Sequence, residues 1–219
     1  PFEDVYQILS TSLPLVAGEK QTTSPVIKKT KEYTENTVYF ISNNDAQQSQ
    51  IYFYIPMGEY NKDLRVKRSA FNQYMSGGFS GLIMNEIREK NSMAYTAYGV
   101  VSTEGLPGSS TYFSGYVGTQ NDKAIDAVKL YMNLLTNMPE RPERIDNIKS
   151  YLRQAVLTSQ PDARSLSQQI ARWKLQGYAD DPTKEMLPMI DRLTFRDIMN
   201  YYNPYFSGLS FAMIFDSNI

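Results

Sequence analysis

The 219-residue chain contains no cysteine and no histidine. The first absence removes disulfides, thiol nucleophiles and thiolate metal ligands. The second removes imidazole, and with it the Ser-His-Asp triad and every Cys/His zinc site. A metal held by this chain alone would need an all-oxygen site, which favours Ca or Mg over Zn. Charge of one sign is also scarce: 22 Lys+Arg against 23 Asp+Glu leave a net charge of −1. That balance lacks the basic footprint of a nucleic-acid binder. No apolar run is long enough to span a bilayer. A chain without cysteine suits an oxidising envelope compartment and is equally at home in a cytosol, so localisation stays open. Pro1 at the start suggests a mature product or a piece of a longer chain, and no secretory leader is visible.

What is present reads as an ordinary globular protein: 42% hydrophobic and 21% charged residues are enough for a sizeable core. The segment Phe2 to Leu9 reads as a short helix. Residues 10–36, with Pro14, Pro25 and the Lys28-Lys29-Thr30-Lys31 cluster, read as a linker or peripheral arm. Residues 37–41 and 51–55 are expected as strands, the second closed by Pro56. A helical region covers about 63–91, broken at Ser76-Gly77-Gly78. Strands at 94–103 and 111–117 flank the turn-forming Glu104-Gly105-Leu106-Pro107-Gly108. Thr119 to Asp122 has the pattern of a capping box, ahead of the stripe Ala124, Ala127, Val128, Tyr131, Leu134, Leu135 and Met138. Pro142 opens another helix, with Ile145, Ile148, Leu152 and Val156 on one side. Helices are also expected near 164–176 and 183–191. A last one, capped by Thr194 to Asp197, is stopped by Asn203-Pro204 before a strand at 209–215. This order implies an α+β domain: a two-layer sandwich with helices on one face of a mainly antiparallel sheet. The economical division is an arm at 1–36 and one domain at 37–219.

The chemistry-bearing candidates are few. Gly77-Gly78-Phe79-Ser80-Gly81 is not a phosphate cradle, because no Lys-Ser/Thr follows and no strand precedes it. Nor is Ser80 on a nucleophile elbow, since the spacing is wrong and no base exists. A helix break allowing close backbone approach is the plainer reading. Asp63, Glu86 and Glu89 lie near this loop. Glu86 and Glu89 share a helix face, so an acid/base pair is conceivable, although a solvated surface explains them as well. Arg88 closes a helix and Tyr95 opens the next strand. A turn at Lys90-Asn91-Ser92 would put both on one rim, where two donors suit a carbonyl or a developing oxyanion. On spacing alone a surface Arg and a strand Tyr explain the pair better. The 17 tyrosines fit either a peptide- or sugar-binding surface or plain packing.

The run from Phe71-Asn72-Gln73-Tyr74-Met75-Ser76-Gly77-Gly78 through Asn85-Glu86-Ile87-Arg88-Glu89-Lys90-Asn91-Ser92-Met93-Ala94-Tyr95 resembles a motif of the M16 peptidases, the insulinase, pitrilysin and mitochondrial processing peptidase family. Phe113 to Thr119, the stretch from Leu193 to Phe206 and the final strand are similar to later family elements, so the resemblance covers about 37–216. It implies the family's two-layer α/β metallohydrolase fold. The zinc-binding half of such enzymes carries His-x-x-Glu-His, which a chain without histidine cannot supply. The resemblance is therefore to the non-catalytic, C-terminal domain. It implies zinc in a partner half, fused upstream or separate, and peptide substrates enclosed between the two. Arg88 and Tyr95 would steady the substrate carbonyl, with Gly77 and Gly78 in a loop near the chamber. Ser92-Met93 departs from the family's Gly-Leu. The rivals are a structural or peptide-binding homologue without proteolysis, and an oxygen-ligand hydrolase built on Glu86 and Glu89.

Overall fold

The computed structural model describes residues 1–12, 26–27, 29–159, 161–206 and 211–218. Five strands are found among them: β1 (Thr37–Ser42), β2 (Ser49–Glu59), β3 (Thr96–Thr103), β4 (Ser110–Thr119) and β5 (Ala212–Ser217). They form one sheet in the order β1-β5-β2-β4-β3, antiparallel except for the β1–β5 pair. The described helices are α1 (Phe2–Ser12), α2 (Arg65–Ser76), α3 (Ala124–Thr136), α4 (Ile145–Thr158), α5 (Leu166–Leu175), α6 (Thr183–Arg192) and α7 (Phe195–Phe206). The expected α+β sandwich is what the chain adopts.

Alternation decides the two faces of the sheet. Ile51, Phe53, Ile55 and Met57 of β2, Phe113 and Val117 of β4, and Ala97 and Val101 of β3 all point to the core. Against them pack Ala70, Phe71 and Tyr74 of α2, Tyr131 and Leu135 of α3, and Ile198, Tyr202 and Phe206 of α7. Phe206 joins the layers, 5.5 Å from Phe71 and 5.3 Å from Phe113 between ring centroids. Gly99 and Gly115 face each other across β3 and β4, and a Cβ on either would collide with the Tyr131 hydroxyl. The space left by those glycines lets the buried Tyr131 hydroxyl donate to the Tyr98 carbonyl at 2.8 Å.

Three local expectations change. Strand β2 runs through Pro56 to Glu59, because β5 pairs only with residues 50–54 and leaves one side of β2 free there. Thr119 ends β4 and donates to the Met93 carbonyl instead of capping a helix. Helix α7 passes Pro204 to reach Phe206, whose burial against Tyr202 outweighs one missing backbone hydrogen bond. The Pro142 start and the cap of α7, where Asp197 accepts from the Thr194 amide at 3.0 Å, are as expected. Part of the strand expected at 209–215 and part of the arm lie outside the described residues.

Candidate functional site

Residues 82–90 do not continue a regular α-helix. A π-helical turn covers Met84–Glu89, with the Lys90 amide reaching the Asn85 carbonyl five residues back at 3.0 Å. Ile87 is fully buried and anchors the turn, while Arg88 faces outward. Two further bonds close it: Ser92 N–H to Arg88 C=O and Met93 N–H to Ile87 C=O, each 2.9 Å. Such a stop needs a residue in the left-handed region, and Ser92 supplies it at φ 50°. The chain then turns into the sheet, where the Tyr95 amide bonds to the Gly118 carbonyl at 2.9 Å.

Through this turn Arg88 and Tyr95 come to line one cleft of about 370 Å³ where β3 begins and β4 ends. Both side chains are about half exposed, Arg88 at 45% and Tyr95 at 51%. The Arg88 Nε lies 3.6 Å from a Glu89 carboxylate oxygen. Gly78, at φ +62°, lines a neighbouring apolar cleft of about 190 Å³ with Met84, Ala97 and Tyr98. Gly77 lines neither cleft and instead closes the end of α2 through its amide, 2.9 Å from the Gln73 carbonyl.

Glu86 is engaged elsewhere. Its carboxylate accepts from Lys90 at 2.9 Å and from Arg141. Burial works to raise its pKa, but the Lys90 hydrogen bond and the Arg141 charge outweigh it and hold the carboxyl below its ordinary value. A carboxylate held ionised by two cations serves poorly as a general acid, so the pairing of Glu86 with Glu89 loses its support. The Ser80 hydroxyl donates to the Gly77 carbonyl at 3.0 Å.

Two features escaped the reading of spacing. Thr119, Gln120 and Lys123 line the Arg88 cleft because the β3–β4 hairpin folds them back onto residues 92–96. The sheet face opposite the helices carries a row of paired residues, Tyr98, Tyr116, Tyr52, Ile214 and Tyr39, one from each strand. Ring centroids within the row are 5.4 Å apart for Tyr98–Tyr116 and 5.0 Å for Tyr52–Tyr116. Only the strand register reveals this row; the tyrosine count does not.

The family profile described as "Peptidase M16 inactive domain" matches residues 4–152. The chain belongs to the M16 peptidase family. Over 144 residues this M16 domain is 28% identical to a Rickettsia felis protein described as an uncharacterized zinc protease, covering 65% of the chain and 34% of that protein. It superposes on the M16 inactive domain of Pseudomonas fluorescens with a TM-score of 0.74 at 15% identity, covering all of this chain and 51% of the other. The periplasmic protease PqqL of Escherichia coli matches 85% of the chain with a TM-score of 0.64 at 15% identity; 21% of PqqL is covered. The M16 domain thus spans about half, or less, of the length of these relatives.

The M16 domain does not itself fit zinc. It has no His or Cys, and among the described residues no cluster of three Asp or Glu stands where a metal could sit.

Proposed function

We propose that this chain is the zinc-free half of an M16 zinc peptidase, inactive alone, that holds polypeptide substrate against a zinc-bearing partner half. Fusion of that half upstream or its presence as a separate subunit serves the reading equally. The observation that carries the proposal is the meeting of Arg88 and Tyr95 in one cleft. A guanidinium and a phenol there both donate toward the position of a substrate carbonyl oxygen and favour the negative charge that develops on it. Gly78, just past the Gly77 end of α2, lines the small apolar cleft that includes Tyr98 of the open tyrosine face. The row of residues on that face, uncharged and partly exposed, suits an extended polypeptide. A cell-envelope setting is supported by the periplasmic protease among the structural relatives.

The test is turnover by the assembled peptidase. Arg88→Ala and Tyr95→Phe should each lower kcat by about 10²-fold, the loss expected for one oxyanion donor, without moving the unfolding midpoint of this chain. Unchanged turnover in both variants would sink the assignment. A second reading, a binding homologue without proteolysis, draws on the tyrosine face alone. It is favoured if neither the upstream coding sequence nor its neighbours encode His-x-x-Glu-His.

A further inference from the structure

We propose that Lys123 forms a carboxylate subsite beside Arg88 and Tyr95, so that this half selects polypeptides presenting a carboxylate next to the held carbonyl. The inference rests on the role given to Arg88 and Tyr95 above and adds a substrate class to it.

Lys123 ends the short turn Asn121–Lys123 that leads from β4 into α3. It lines the same cleft as Arg88 and Tyr95 although 28 to 35 residues separate them in the chain. The three charged side chains of that cleft are Arg88, Glu89 and Lys123, two positive and one negative. Glu89 lies against Arg88 at 3.6 Å, and no carboxylate among the described residues stands within ion-pair distance of Lys123. Its nearest acceptor is the Ser92 carbonyl at 3.5 Å, the outer limit of a hydrogen bond. An ammonium carries three donors, so at least two remain for a ligand. The excess positive charge of the cleft therefore sits on Lys123, with the Gln120 side chain beside it as a further polar group. Neutral peptides gain nothing from this arrangement. A carboxylate does, whether from an Asp or Glu side chain or from a chain terminus.

Three pentapeptides with blocked N-termini serve as probes: a neutral one with a central Gln and an amidated end, and two that each differ from it at one place, by a central Glu or by a free C-terminal carboxylate. Their binding to the 219-residue chain is measured by calorimetry at low salt. At least one carboxylate peptide should bind about fivefold more tightly than the neutral one, and which one does so identifies the source of the carboxylate. Added salt should shrink the advantage. Lys123→Met should abolish it while leaving the neutral peptide unchanged, and Lys123→Glu should reverse it. In the assembled peptidase the same order should appear in kcat/KM. Equal affinity for all three, no detectable binding of any, or an advantage that survives Lys123→Met overturns the proposal. Absence of the preference in the unaltered chain, with Arg88→Ala still impairing turnover, defeats the subsite alone. Full turnover in both Arg88→Ala and Tyr95→Phe defeats the reading it rests on.

Discussion

Ser92 shows how much one backbone angle decides in this site. The turn that separates Arg88 from Tyr95 needs a residue at positive φ, and a serine there at 50° bears a steric cost that glycine would not. Ser92→Gly should relieve that strain, and part of the gain is lost to the freer unfolded chain. The expected net is a stabilisation of about 0.5–1 kcal/mol, read as a higher urea midpoint at unchanged m-value. A lower midpoint would mean that the serine hydroxyl contributes something the backbone does not show. The seven-residue spacing of Arg88 and Tyr95, and the turn between them, were legible in the sequence. The π-helical turn was not, because its i to i−5 bond comes from the anchoring of Ile87 in the core and leaves no mark on a 3.6-residue period. Lys123 was equally invisible, since only the pairing of Thr96 with Gly118 brings it to the cleft.

At the scale of elements, the two edges of the sheet are treated differently. On β3 the outward backbone groups of Gly99 and Val101 are already satisfied from α2. Asn72 donates to the Val101 carbonyl at 2.9 Å and accepts from its amide at 2.7 Å. One helical turn later, Ser76 does the same for Gly99 at 2.9 and 2.8 Å. A helix spacing of four matched to a strand spacing of two thus closes the middle of this edge to another chain. β1, by contrast, keeps Val38, Tyr39, Phe40 and Ile41 about half exposed. Asn72→Ala should leave the Val101 amide and carbonyl unpartnered, costing about 1–3 kcal/mol. In a chain of this length that corresponds to a fall of roughly 2–4 °C in Tm per kcal/mol, and light scattering should show more association on heating. Unchanged stability would mean that water replaces Asn72 without loss. The helices and strands themselves were largely readable from periodicity. The proline stops at Pro56 and Pro204 were not: tolerance of a missing amide depends on which side of β2 is paired and on how deeply Phe206 is buried, and neither is a local property.

Over the whole molecule, the α+β arrangement followed from the order of the elements, while the use made of the tyrosines did not. Tyr74, Tyr131, Tyr201 and Tyr202 belong to the core; Tyr39, Tyr52, Tyr98 and Tyr116 form the open face. Composition cannot separate the two sets: the core tyrosines sit on α2, α3 and α7, while the face taken by the strand tyrosines is set by register, which a one-residue slip would reverse. Burial, together with the nearby Tyr52 and Tyr98 rings, pushes the Tyr116 phenol above its ordinary pKa, so the centre of the row stays neutral. An aromatic surface left half exposed suits the binding of a partner or substrate. If that surface is the floor of the substrate chamber, the double variant Tyr52→Thr, Tyr98→Thr should raise KM for long peptides by about tenfold, from contacts worth about 1.4 kcal/mol together. Its kcat should stay within about twofold, because the row lies apart from the Arg88–Tyr95 cleft and binds ground and transition states alike. Threonine keeps the strand propensity, and the replaced rings are more than two-fifths exposed, so the unfolding midpoint should shift little. A KM that does not move, or a fall in kcat as large as that of Arg88→Ala, would remove the open face from substrate binding and leave the cleft as the whole of the site.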